Sequence, residues 1–364
     1  DKFYLLLRIL ILYIDMRNNI LIVGDDIRHC SGVGNQLRHV TNKFTRNGHN
    51  VYCIGVENVQ QVNPEPERLN EQVLIYKSNQ YDDINLWLKI IKQHSIDAVI
   101  MMTDPFRYQR YFNYHYLIRA HCPVYYINVW DTHLIPEEQG RMHYNTTLYE
   151  SVDKIGCISK QTEWFCNRVL EKAYSAPQDL PKISYVGHGS DTSVFKPLAD
   201  NDALLLDVKN KLLKGKSYDF TIFLNSRNQA RKKIPDVIEA FREFSKDKNA
   251  ALILQTEVVS QYGTDLIQVC SALAPKANIY INQDRLPEDR LNCIYNLADV
   301  TINNSNAEGF GLSINESCLA GTPVIANAVG GLVDQIGFFD NGMPIKWNAD
   351  NYKRLKEFGH GIWS

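Results

Sequence analysis

The chain has 364 residues, a formal net charge of −2, and 45% hydrophobic against 22% charged residues. That length holds two domains with a core each, and the charge gives no general drive toward nucleic acid or an anionic surface. Eight cysteines are scattered with no Cys-x-x-Cys pair and no Cys/His cluster at zinc spacing, so a structural zinc is not indicated and a reducing, cytoplasmic location is expected.

Taken in chain order, Phe3–Ile14 is an apolar run interrupted by Arg8. It is too short to span a bilayer and lacks the small-residue cleavage site of a signal peptide. Met16 looks like a natural start, so residues 1–15 are set apart as an N-terminal appendage, a membrane-adhering helix being the other reading. Ile20–Gly24 has a buried-strand pattern, Gly34–Gly48 reads as an amphipathic helix ended by glycine, and Val51–Val56 is a second strand. Strand-like runs recur at Ala98–Met102, Val124–Val129 and Ile155–Ser159. The segments 58–85 and 104–120 are read as loops. The second carries Tyr108, Tyr111, Phe112, Tyr114 and Tyr116, which suit sugar stacking or the packing face of a helix. A crossover at about 184–200 leads to Phe220–Asn225, Ala251–Gln255, Ile279–Ile281, Val300–Asn303 and Pro323–Asn327. Strands alternating with helical stretches imply α/β architecture with parallel sheets covered on both faces.

Chemistry concentrates in Asn303–Ile336. The turn Gly309-Phe310-Gly311 follows one strand and precedes a helix expected at Leu312–Ala320, and Gly330-Gly331 follows the next strand. Such turns let main-chain N–H groups approach an anion, and the helix aims its positive end at the same place. Two glutamates eight residues apart, Glu308 in the turn and Glu316 in the helix, read as two reach points on one elongated ligand. The plain alternative is an ordinary βαβ unit with two solvated glutamates.

This segment resembles the Glu-x7-Glu signature of retaining glycosyltransferase family 4, whose members have the GT-B fold. Residues 285–299 resemble the stretch upstream of that signature. Ile183–Pro197 is similar to the family's interdomain crossover, and Ser31–Val40 with Gly48–Val51 to its first glycine loop, helix and second strand. The resemblance implies two Rossmann-like domains facing across a cleft, residues 16–190 on the acceptor side and 191–364 on the donor side. The family's C-terminal helices return to the first domain, whereas this chain stops at Ser364, which reads as a truncated or short end.

By the same resemblance, Arg227 and Lys232 would hold the donor diphosphate, with Arg231 and Lys233 near enough to share that role. Glu316 would take the ribose, Glu308 would orient the sugar, and the amides of Gly309, Phe310, Gly311 and Leu312 would meet sugar or phosphate. Arg285 or Leu286 would touch the base, and Gly32 and Gly34 would place donors near the phosphates and acceptor. Asp131 and His133 would lie near the sugar or acceptor, and His188 at a hinge. A dinucleotide site is the rival on the first domain, but Leu37 stands where the third glycine of Gly-x-Gly-x-x-Gly belongs. The implied reaction needs no cofactor and no metal, and its substrate is a nucleotide diphosphate sugar; GDP-mannose and UDP-glucose are both compatible. The implied acceptor is a glycan or a lipid-linked or protein-linked group, and the location is cytoplasmic, with peripheral contact at the cytoplasmic face of a membrane as the other reading. The alternative is a non-catalytic nucleotide-sugar or glycan-binding protein on the same scaffold.

Overall fold

The computed structural model describes residues 18–29, 31–56, 65–131, 145–173, 182–340, 343–345 and 361–363. The appendage 1–15 and His133 lie outside them. The chain divides into two compact units, Asp1–Gly189 and Ser190–Ser364. Among the described residues no helix is long and apolar enough to cross a membrane.

The first unit runs β1 (Asn19–Asp25), α1 (Gly32–Arg46), β2 (Asn50–Val56), β3 (Glu67–Arg68), β4 (Val73–Ser78), α2 (Ile84–His94) and β5 (Ala98–Met102). A 3-10 turn, Pro105–Tyr108, leads to α3 (Gln109–Arg119), β6 (Val124–Asn128), α4 (Thr146–Glu150), β7 (Lys154–Cys157), α5 (Lys160–Ala173) and β8 (Lys182–Tyr185). Its sheet has the order β3-β4-β2-β1-β5-β6-β7-β8, parallel except for β3 against β4. β1 and β5 are buried on both faces and so read as unbroken apolar runs rather than as alternation. Leu37, Val40 and Phe44 of α1 close over β1, β2 and β4 in one core.

The second unit runs α6 (Ala203–Leu213), β9 (Phe220–Asn225), a 3-10 turn (Ala230–Lys232), α7 (Ile234–Phe244), β10 (Ala250–Gln255) and α8 (Leu266–Leu273). Then follow β11 (Ile279–Asn282), α9 (Glu288–Leu297), β12 (Val300–Asn303), α10 (Leu312–Ala320), β13 (Val324–Ala326), α11 (Gly331–Ile336), β14 (Phe338–Asp340), β15 (Met343–Ile345) and β16 (Gly361–Trp363). Its main sheet is ordered β11-β10-β9-β12-β13-β16, parallel except where β16 returns against β13. One side of this sheet packs on α7 and α8, the other on α6 and α9.

Strand order reverses between β1 and β5 in the first sheet and between β9 and β12 in the second. Such a reversal opens a crevice at the carboxyl ends of the strands, where open α/β sheets take ligands. The loops leaving β9 and β12 are those that carry Arg227–Lys232 and Glu308.

Two expectations need correction, and one strand was not expected. The segment 58–85 contains the strands β3 and β4, and 104–120 folds as a 3-10 turn and helix. Tyr108 and Tyr111 are fully buried there, whereas Tyr114 and Tyr116 face solvent. The edge strand β8 was not foreseen, because its residues are half-buried or exposed and leave no apolar run.

Candidate functional site

At the switch point of the second sheet, the loop after β12 folds around the side chain of Glu308. Asn303 Nδ2 and Ser305 Oγ each donate to Glu308 Oε1 at 3.0 Å, and Lys232 Nζ donates to the same oxygen. Arg231 Nη1 stands 4.0 Å from Glu308 Oε2. Arg231 also ties the loop down, donating to the Ala307 carbonyl at 2.5 Å and accepting from the Asn306 amide at 2.8 Å. Glu308 and Lys232 are both buried. Burial alone would raise the Glu308 carboxyl, but the Lys232 charge and hydrogen bond outweigh it and hold the group below the ordinary range.

Glu316 lies buried on α10 in a different environment. Tyr295 of α9 donates to Glu316 Oε2 at 2.7 Å, and Asn225 at the end of β9 donates to Tyr295 Oη at 2.9 Å. Burial pushes the Glu316 carboxyl up to about 8, against the Tyr295 hydrogen bond. The two glutamates of the motif are thus shifted in opposite directions, Glu308 toward the carboxylate by Lys232 and Glu316 toward the acid by burial. Tyr295 and Asn225 had no signal in the sequence, since each reads as an ordinary residue at the end of an apolar run.

The glycines explain the shape of the turn. Gly311, at φ 91°, precedes α10, which has no side-chain cap and no acidic residue in its first turn. Its N-terminal end thus keeps its positive character for an anion. Gln335 Nε2 braces the turn by donating to the Phe310 carbonyl. Phe310 is buried, and Leu312 opens the helix. Gly330-Gly331 does not form a second open donor site. A Cβ on Gly330 would sit 1.7 Å from the Glu308 carbonyl, and the Gly331 amide donates to that carbonyl at 3.3 Å. This pair packs beneath Gly309 and Phe310 and lets the turn lie close.

Arg227 and Lys232 are not brought together. Arg227 is mostly exposed, and its Nε donates to Glu257 Oε1 at 3.2 Å, while Lys232 is buried on Glu308. The cation beside Glu308 besides Lys232 is Arg231. Lys233 adopts φ 54° and pairs loosely with Asp236 at 3.8 Å. The physical reason is the 3-10 turn at Ala230–Lys232, which swings Arg231 and Lys232 toward β12. Asn228, also buried, fastens this loop to the one after β10 by donating to the carbonyl of Thr264 at 2.6 Å. Arg285 is exposed, and Leu286 packs against the core formed with α6 and α9.

In the first unit the helix begins at Gly32, two residues before the expected start. The Gly34 amide is not open to a ligand, because Ser31 Oγ accepts from it at 2.9 Å as the N-cap. A Cβ on Gly34 would meet the His29 and Asp26 carbonyls at 2.7 and 2.8 Å. Asp25 accepts from Ser31 Oγ at 2.6 Å and from Tyr81 Oη at 2.7 Å, a cluster the sequence did not flag. Asp131 is half-buried just past β6.

Residues 207–357 match the family model described as "Glycosyl transferases group 1". The chain is 27% identical over 225 residues to the D-inositol 3-phosphate glycosyltransferase of Xylanimonas cellulosilytica, covering 58% of this chain and 51% of that protein. It thus spans about half the length of this curated relative. Sucrose-phosphate synthase from Thermosynechococcus elongatus matches in structure with a TM-score of 0.68 at 16% identity, over 88% of this chain and 84% of that one. HepE from Anabaena in complex with UDP-glucose matches with a TM-score of 0.65 at 17% identity, over 94% of this chain and 88% of that one. The chain has the GT-B fold, and its second unit carries the sequence signature of the group 1 glycosyl transferases.

Proposed function

We propose that the chain is a retaining, metal-independent glycosyltransferase that moves a sugar from a nucleoside diphosphate sugar to a hydroxyl of a glycan or of a lipid-linked or protein-linked acceptor. The observation that carries this reading is the cluster at the switch point of the second sheet. There the uncapped start of α10, Lys232 and Arg231 share one loop region with an ionised Glu308. Negative charge grows on the leaving diphosphate as the glycosidic bond breaks. A helix N-terminus and cations near it stabilise that charge more in the transition state than in the ground state. Glu308, as a carboxylate, orients a sugar hydroxyl and tempers positive charge at the anomeric carbon. Glu316, as a neutral acid, offers both a donor and an acceptor to a vicinal diol such as that of ribose.

UDP-glucose is the first donor to test, because HepE carries it in the structure matched above; GDP-mannose is the second. The experiment incubates the chain with each donor in the presence of EDTA, with and without a panel of sugar and lipid-linked acceptors. Nuclear magnetic resonance then follows the product. Transfer with the donor's anomeric configuration kept supports the reading. Inversion, or loss of transfer on chelation, removes the corresponding part of it. Nucleotide binding with no transfer and no donor hydrolysis would assign the chain as a non-catalytic binder.

A further inference from the structure

Two loops at the carboxyl edge of the second sheet are fastened to each other, the one after β9 and the one after β10. Asn228 is the fastening. Buried, it donates from Nδ2 to the carbonyls of Glu257 at 3.1 Å, Val258 at 3.4 Å and Thr264 at 2.6 Å, and its Oδ1 accepts from the Thr264 amide at 3.2 Å. The Ala230 amide adds a bond to the Tyr262 carbonyl at 2.8 Å. Gly263 passes so close that a Cβ there would lie 2.1 Å from Asn228 Oδ1. The loop after β10 is thus fixed from its first residues to its last.

Glu257 stands on this fixed loop. Its Oε2 accepts from the Asn228 amide at 2.9 Å, which leaves Oε1 to accept from Arg227 Nε at 3.2 Å. Burial would raise the Glu257 carboxyl, but the backbone amides of Asn228 and Glu257 and the Arg227 side chain hold it below the ordinary range. Arg227 uses only its Nε edge: among the described residues neither Nη1 nor Nη2 makes a hydrogen bond or ion pair. An exposed pair of this kind adds little stability. It fixes direction instead. A guanidinium holds its N–H donors in a rigid planar fork, so anchoring Nε aims both Nη groups together.

The loop after β9 also links the two glutamate sites. Asn225 at its start holds Tyr295 against Glu316, and Arg231 and Lys232 near its end face Glu308. Arg227 lies between them along the chain, where a ligand reaching from one glutamate to the other carries its middle. In a nucleoside diphosphate sugar that middle is the diphosphate. We propose that Glu257 is a positioning residue for the donor diphosphate, holding Arg227 by Nε so that its Nη edge meets the phosphates. The inference deepens the nucleotide-sugar reading of this site and rests on it. A free nucleoside diphosphate carries the charge that the leaving group gains, so it feels the fork more than the sugar conjugate does.

The test is a double-mutant cycle on the full chain: Glu257→Ala, Arg227→Ala and both together. Calorimetric titration with UDP, UDP-glucose and uridine, or the guanine set where the parent prefers it, is read beside the melting temperature. Glu257→Ala should weaken UDP about five-fold, UDP-glucose less than about two-fold and uridine not at all. In the Arg227→Ala background the same substitution should cost nothing further. Where Glu257→Ala melts lower than the parent, Glu257→Gln, which fills the same space, replaces it in the cycle. An unchanged UDP affinity in the Glu257 variant overturns the proposal. So do equal losses for UDP and uridine, or a Glu257 effect that persists in full without Arg227, since either marks Glu257 as a fastening of the loop alone. A parent that binds UDP but transfers no sugar removes the catalytic reading, and the cycle still decides the role of Glu257. A parent that binds no nucleoside diphosphate overturns both.

Discussion

Burial pushes the Glu316 carboxyl up to about 8, so the folded protein binds a proton there that the unfolded chain releases near the ordinary value of 4.5. Between those limits stability falls as pH rises; the contribution is complete below 4.5 and gone once pH passes through about 8. Glu316→Gln keeps an acceptor for Tyr295 and cannot ionise. Urea unfolding at about pH 5 and about pH 9 should show the parent losing a few kcal/mol that the variant keeps. Equal slopes in the two proteins would mean that Glu316 is ionised already at neutral pH. Glu308 has the opposite sense. Its lowered carboxyl adds stability above 4.5 that is lost as pH falls through its folded value. Lys232→Met strands a buried carboxylate and should cost about 3–5 kcal/mol. Lys232→Met/Glu308→Gln should recover much of that while leaving no transfer activity. A double variant no more stable than the single one would mean that the pair does not act as a unit.

At the scale of elements, the close approach of two turns is the most exposed point of the design. Gly330 has φ 49° and lies against the Glu308 carbonyl, so Gly330→Ala must push the Glu308 turn away from β13. The expected cost is at least about 2 kcal/mol of stability, with donor affinity lost beyond what the fall in stability explains. Thermal unfolding and nucleotide titration on the same sample separate the two, and a wild-type affinity in the variant would refute the role given to the turn. This packing marks the limit of what the sequence conveys. β9, β12 and α10 stand where their residue patterns place them, because a buried parallel strand is an apolar run with a polar end and Gly311 and Gly321 bracket the helix. The two motif glutamates could likewise be found by spacing. Their surroundings could not: Lys232 and Glu308 are 76 residues apart in the chain, and Tyr295 and Glu316 are 21 apart. Arg231 and Arg227 look interchangeable as letters, and only the 3-10 turn decides which of them reaches Glu308.

At the scale of the whole molecule, each unit has a hydrophobic core of its own, centred on β1 and β5 in the first and on β9, β10 and β12 in the second. Chains built this way need not unfold in one step. All the groups proposed for the nucleotide sugar, Lys232, Arg231, Glu308, Glu316 and the start of α10, belong to the second unit. A nucleotide bound by them stabilises the unit that holds it, by about 2.7 kcal/mol when present at a hundred times its dissociation constant. Hydrogen exchange followed by mass spectrometry should therefore slow in peptides from β9, β12 and α10, by up to about 100-fold, when the preferred nucleoside diphosphate is added. Peptides from β1 and β5 should exchange as before. Equal slowing in both sets would mean that the two units open together, so that nucleotide energy is shared across the chain. Slowing in the β1 and β5 peptides alone would move the nucleotide to the β1–β5 switch point, where Asp25 and Tyr81 meet. The donor site assigned here would then be wrong.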